Sequence, residues 1–291
     1  MNLLKSIFIS AYMMMIMGIA GYSGWMLYQG ADQFAWLGTL LTVAPILSVI
    51  SWLMMFKNVA RTSAHFPLIN LLGATGVALA GWAWLEHGAG IPALALAAGA
   101  WVAFLTYSFW FSTFGGRAPS MRLVAGANLP EFKVKNAEGK LVSSAQFTGR
   151  PTILIFYRGN WCPFCMAQLK ELAERYEEIR RLGVRVAMIS PQPHANTVQI
   201  AKKFRIDLSF EFLTDEGNAA ARSLGILNLH GTPMGMQALG YDSDTVLPTV
   251  VITDKDGRII WTHETDNYRV RPDPATYLDV MRRHGIVAAK A

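Results

Sequence analysis

The segment Phe156-Tyr157-Arg158-Gly159-Asn160-Trp161-Cys162-Pro163-Phe164-Cys165 decides how the rest of the chain is read. It holds both cysteines of the protein, three positions apart with a proline between them. An apolar run, Thr152 to Tyr157, leads into it, and a run with helical periodicity, Met166 to Arg181, leads out. A Cys-x-x-Cys pair between strand and helix reads as a redox dithiol, because two sulfurs on the first turn of a helix can join with little backbone movement. The partial positive charge of the helix N-terminus favours thiolate over thiol, and Arg158 adds to that field. The expectation is that Cys162, at the exposed start of the turn, attacks a substrate disulfide or peroxide and Cys165 resolves the product. Arg158 and Trp161 complete the candidate site within the segment. The competing reading is two ordinary buried thiols. A structural zinc site wants four ligands, and no second cysteine pair exists.

Composition divides the chain. Up to Phe114 the only charged residues are Lys5, Asp32, Lys57, Arg61 and Glu86; all the others follow. Four charge-poor intervals, Ile7 to Leu27, Phe34 to Phe56, Phe66 to Leu85 and Ile91 to Phe114, have the length that a membrane-spanning helix needs. Trp25, Trp36, Trp52, Trp84 and Trp110 fall near their ends, where an indole suits the headgroup layer. The first interval also fits a signal peptide, with Lys5 before it and Gly18-Ile19-Ala20 as a cleavage site. Met13-Met14-Met15 and Met17 read as packing or lipid-facing side chains. Lys5, the Lys57/Arg61 connection, and Arg117 with Arg122 all fall on one side of a four-span arrangement. The positive-inside bias then puts both termini in the cytoplasm of a bacterial-type inner membrane, with a periplasmic redox domain as the alternative. A cytosolic thiol pool keeps such a pair reduced, so reduction of a substrate is its natural direction.

The division expected is a four-span region at residues 1–114, a linker at 115–128 and an α/β redox domain at 129–291. Within that domain Phe132-Lys133-Val134 and Leu141-Val142 flank an Asn136–Gly139 turn. Val184 to Ile189 continues the apolar pattern after the helix, completing a βαβ unit. Pro191 to Asn196 reads as a loop, Thr197 to Phe204 as a helix, Phe210 to Leu213 as a strand and Asn218 to Leu224 as a helix. Ile226 to Val246 has no period and reads as a long loop, a candidate substrate or partner surface. Leu247-Pro248-Thr249 opens a hairpin over Val250 to Thr262 with an Asp254–Gly257 turn, and the first residue of its strand suits a proline, with a cis bond possible. Asp273 to His284 closes the domain as a helix, with Tyr277, Val280 and Met281 inward.

Trp161-Cys162-Pro163-Phe164-Cys165 after a strand, with Leu247-Pro248-Thr249 opening a later one, resembles the thioredoxin-fold superfamily. Pro130-Glu131-Phe132 through Gly139-Lys140, the Phe156–Pro163 segment and Ile189-Ser190-Pro191 are similar to its peroxiredoxin-like AhpC/TSA (redoxin) branch. The resemblance covers about residues 118 to 286. It implies a thioredoxin-like mixed sheet flanked by helices, with Cys162 attacking, Cys165 resolving and Pro248 in a cis-proline loop aligning substrate. In peroxiredoxins the attacking cysteine closes a Thr-x-x-Cys pattern, which would make Cys165 that residue and put Cys162 in the threonine's place. Those enzymes also carry an arginine near the position of Pro248. The acidic residue buried in typical thioredoxins has no match here, since Phe156 stands in its place.

The function expected is a membrane-anchored thiol-disulfide oxidoreductase acting on disulfide or peroxide substrates. It uses the Cys162–Cys165 disulfide with no other cofactor and no metal, and an external thiol reductant. The alternatives are a thiol peroxidase attacking through Cys165, or a redox sensor that docks a membrane protein partner. His194, His230 and His263 read as surface or loop residues. The mildly basic soluble half, without basic clusters interleaved with aromatics, suits a lipid bilayer and excludes nucleic acid as the partner.

Overall fold

Four helices fill the first part of the chain: α1 (Asn2–Tyr28), α2 (Gln33–Phe56), α3 (Pro67–Glu86) and α4 (Ile91–Leu105), the last continued by a π turn at Thr106–Phe111. They follow the four apolar intervals, and each span, the fourth taken with its π turn, is long and apolar enough to cross a membrane. In the computed structural model of the chain, residues 2–204 and 210–287 are described; the outer ends of the first and last domains read from sequence, Met1 and 288–291, lie outside them. Small residues set the spacing of α2 and α3. A Cβ added to Gly38 would stand 2.6 Å from the Gly76 carbonyl oxygen, a distance that only glycine avoids. Tyr12 of α1 stacks on Tyr107 of the π turn with ring centroids 5.4 Å apart. Large apolar side chains such as Met14, Leu71 and Leu85 point outward from these helices rather than into their core.

The remainder is built as β1 (Lys133–Lys135), β2 (Leu141–Ser143), β3 (Thr152–Phe156), α5 (Pro163–Glu174), α6 (Tyr176–Arg181), β4 (Arg185–Ser190), α7 (His194–Phe204) and β5 (Phe210–Thr214). There follow α8 (Ala219–Ser223), β6 (Leu227–Asn228), β7 (Thr245–Val246), β8 (Thr249–Thr253), β9 (Ile259–Glu264) and α9 (Pro274–Arg283). Seven strands form one mixed sheet in the order β2-β1-β5-β4-β3-β8-β9, and β6 pairs with β7 apart from it. The thioredoxin-like architecture expected of the resemblance is present. All residues of β3 are buried, because it lies between parallel β4 and antiparallel β8. Leu154 and Phe156 join Phe132, Leu213 and Val251 in the core beneath. By contacts the chain divides into two units: residues 7–56 with 62–115, and residues 116–291 with 1–6 and 57–61.

Five local expectations are revised. The helix read through Arg181 breaks at Arg175, whose N–H is shared between the carbonyls of Glu171 and Leu172, tightening the turn and ending α5. Helix α7 starts at His194, inside the stretch read as a loop, because the Pro193 carbonyl accepts from Asn196 and Thr197. Ile226 to Val246 is not free of structure: β6 and β7 close its base, the Leu247 N–H bonds to the Ile226 carbonyl at 2.8 Å, and Met236–Leu239 is a 3₁₀ turn.

The Pro248 peptide is trans, for no cis bond occurs among the described residues. Its carbonyl accepts from Arg117 Nη1 at 2.9 Å, and β8 begins at the next residue. Lastly, residues 116–128 are docked, not slack. Asp266 Oδ1 accepts from the N–H groups of Gly116 and Arg117 at 3.0 and 2.7 Å, and Leu123 enters the core. Arg117 also forms a buried ion pair with Glu264 at 3.0 Å. A paired, hydrogen-bonded charge is tolerated inside where a single one is not.

Candidate active site

The turn after β3 places the cysteines. Gly159 takes a φ of +136°, and a Cβ there would come within 2.9 Å of the Trp161 indole nitrogen. The turn therefore needs glycine. Cys162 caps α5 and Pro163 takes its first position, where a missing N–H costs nothing. The Cys162 carbonyl accepts from the Cys165 N–H at 3.0 Å, which sets the second sulfur one turn along.

Both cysteines are free thiols, and both are buried, Cys162 at 1% exposure and Cys165 at 0%. The exposed position expected for Cys162 is not found. Tyr268 lies over this corner, its ring edge-on to Phe164 with centroids 5.7 Å apart.

Burial and charge treat the two sulfurs differently. Burial pushes the Cys162 thiol up, and its donated hydrogen bond to the Cys165 sulfur keeps it protonated, well above the ordinary thiol range. Burial also opposes charge on Cys165. It is outweighed by that same hydrogen bond, the Arg271 guanidinium, and the Arg158 main-chain N–H and charge, which pull the Cys165 thiol down to about 5. Arg271 Nη2 lies 3.4 Å from Cys165 Sγ. Burial works against the charge of Arg271, but the two sulfurs, Cys165 foremost, raise its pKa above the ordinary value.

Arg271 is held from every side. Its Nε donates to the Tyr268 carbonyl at 2.8 Å and its Nη1 to Gln168 Oε1 at 2.7 Å, while Gln168 Nε2 donates to the Tyr277 hydroxyl at 2.8 Å. Gln168 sits three residues after Cys165, on the same face of α5. A second amide fixes the turn: Gln192 Oε1 accepts from the Asn160 N–H at 2.8 Å, and its Nε2 donates to the Tyr157 hydroxyl at 3.1 Å. Arg158 lies 4.5 Å from the Trp161 ring centroid and 5.2 Å from that of Tyr268, and its Nη2 donates to the Gly231 carbonyl at 2.5 Å. The Thr245 hydroxyl donates to the Arg158 carbonyl at 3.1 Å, and the Tyr241 hydroxyl donates to Asn160 Oδ1. The stretch between β6 and β7 therefore covers the active turn.

Of the residues expected from sequence, Cys162, Cys165, Arg158 and Trp161 come together. Pro248 precedes Thr249, the strand partner of Phe156, and so stands beside the turn without the cis bond. No arginine stands at the position of Pro248; the guanidinium beside the Cys165 sulfur is that of Arg271, in the segment after β9. That residue, Gln168 and Gln192 escaped sequence reasoning. The Tyr268-Arg269-Val270-Arg271-Pro272 run, with two arginines beside apolar residues, was the available signal for the first. Among the histidines, His194 Nδ1 lies 3.0 Å from Thr214 Oγ1, and His263 falls on β9.

Residues 125–262 match the AhpC/TSA family. Over 123 residues the chain is 35% identical to "Peroxiredoxin Q, chloroplastic" of Triticum aestivum, a match covering 42% of this chain and 56% of that protein. The protein of the same name from Sedum lineare is 31% identical over 130 residues, covering 44% of this chain and 69% of its own length. "Thiol-disulfide oxidoreductase ResA" of Bacillus cereus is 26% identical over 162 residues, covering 55% and 77%. The chain spans 56% of the length of the first curated relatives it matches.

Proposed function

The chain belongs to the AhpC/TSA family, and from that premise we propose that it is a membrane-anchored thiol peroxidase in which Cys165 attacks and Cys162 resolves. The observation that carries this reading is the Arg271 guanidinium on the Cys165 sulfur, in a site where the neighbouring Cys162 stays protonated. The Cys165 thiolate attacks the distal oxygen of a hydroperoxide; the S–O bond of a sulfenic acid forms as the O–O bond breaks, and the displaced alkoxide takes up a proton as alcohol. Arg271 and the turn N–H groups face the negative charge as it moves. The Cys162 sulfur, its proton passing to the departing hydroxide, then attacks the Cys165 sulfur; water leaves and the Cys162–Cys165 disulfide forms. An external dithiol returns both sulfurs to the reduced state. This order reverses the roles expected from the motif alone, and follows from charge rather than position. A sulfur with no exposed surface reacts only when its cover parts, and the cover here is the Tyr268 ring against Phe164 together with the hydrogen-bonded stretch between β6 and β7. The four apolar helices anchor the enzyme, and the distribution of Lys5, Lys57 and Arg61 favours a cytosolic redox unit.

The test gives the reduced full-length protein one equivalent of hydrogen peroxide at a series of pH values. Two thiols should be lost per peroxide consumed. The rate should hold level above about pH 6 and fall as Cys165 takes up its proton near about 5. The same lowered pKa makes the reduced fold gain stability as pH rises from about 5 towards 9.0, because there the native state holds a thiolate and the unfolded chain a thiol. Thiols that survive peroxide but are rapidly oxidised by a model protein disulfide would replace this reading with disulfide exchange.

A further inference from the structure

Arg61 lies between α2 and α3, far in sequence from the cysteines, yet residues 57–61 belong to the same compact unit as the sheet and the thiol site. Ala60 beside it is 1% exposed, so the segment is packed rather than loose. The Arg61 guanidinium makes two contacts of different kinds. Its Nη2 pairs with Glu171 Oε2, and its Nε donates to the main-chain carbonyl of Arg271 at 3.1 Å. Glu171 stands on α5, the helix that carries Cys165; Arg271 carries the guanidinium that meets the Cys165 sulfur. One side chain thus ties the helix bearing the thiolate to the segment bearing its counter-ion.

We propose that Arg61 is a positioning residue of the thiol site, fixing the Arg271 guanidinium against the Cys165 sulfur. The inference rests on the reading that Cys165 is the attacking thiol. Gln168 and the Tyr268 carbonyl hold the Arg271 side chain, whereas Arg61 holds its main chain. Attraction between charges falls with separation, so a slip of about 1.5 Å in a partly shielded site changes the proton affinity of the sulfur roughly tenfold. The other groups facing Cys165 are Tyr157, Arg158 and Cys162, and none of them contacts Arg61. On its own side Arg61 acts electrostatically on Asp273 and Tyr277 as well as on Glu171.

The experiment uses the full chain in detergent and follows iodoacetamide alkylation of Cys165 by peptide mass mapping across pH. Arg61→Gln should move the inflection upward by about one pH unit and slow alkylation roughly tenfold below it, leaving the high-pH plateau unchanged. Arg61→Lys, which keeps the charge facing Glu171, should recover part of the shift, and Glu171→Gln should reproduce it in weaker form. A merely structural role would instead raise the plateau, by opening two buried sulfurs to the reagent. If Arg61→Gln does that, Glu171→Gln decides: a shifted inflection supports the proposal, and an unshifted one overturns it. An unchanged inflection in a well-folded Arg61→Gln protein also overturns it. These failures leave the wild-type inflection assigned to Cys165; should the wild type react first at Cys162, the reading of the nucleophile falls, and this inference with it.

Discussion

Cys165→Ser will abolish peroxide consumption, lowering the rate by about 10³-fold or more, because a serine hydroxyl has no anion at neutral pH to attack with. Cys162→Ser will behave differently. Each chain will still consume one peroxide, since Arg271 and the turn N–H groups remain, and then stop for want of a resolving thiol. The product will carry a sulfenic acid on Cys165 that dimedone captures and mass mapping locates. Stopped-flow peroxide assays on the two variants separate the attacking from the resolving step. An inactive Cys162→Ser protein beside a Cys165→Ser protein that still reacts once would restore the roles expected from the order of the motif.

Arg271→Met is the second large effect. Methionine fills much of the same volume without charge, so the loss falls on electrostatics rather than on packing. With the thiol of Cys165 near about 5, nearly all of it is ionised at neutral pH. Without its counter-ion the sulfur returns to or above the ordinary range of about 8.5, where only a few per cent is thiolate, so the rate falls about thirty- to a hundredfold. Raising the pH should restore most of the loss, since alkali supplies the missing thiolate. A rate at neutral pH equal to that of the wild type would exclude Arg271 from the chemistry.

Local pattern was enough to read the strand, the cysteine turn and the helix after it, and also the Asp254–Gly257 hairpin and the closing helix with Tyr277 and Met281 inward. Each of these is specified by neighbours in sequence: an apolar run, a glycine in a tight turn, a stripe at helical spacing. What escaped was non-local. Arg271 reaches Cys165 across 106 positions, and Arg61 reaches its carbonyl across 210; no spacing rule connects them. The burial of Cys162 was hidden for the same reason, since Tyr268 and the stretch between β6 and β7 come from later parts of the chain. Motif position alone favoured the first cysteine as the attacker. The choice passes to the second once the placement of the buried Arg271 guanidinium beside its sulfur is known. Residues 115–128 read as a linker because two glycines open them, yet Arg117 gains a buried carboxylate partner that composition could not announce.

The claim on which the account depends is that the sulfur beside Arg271 is the reactive one. Brief treatment of the reduced full-length protein with a substoichiometric amount of iodoacetamide at about pH 6, followed by peptide mapping, tests it most directly. The account predicts label on Cys165, with Cys162 still a free thiol; label first on Cys162, with Cys165 untouched, would contradict it.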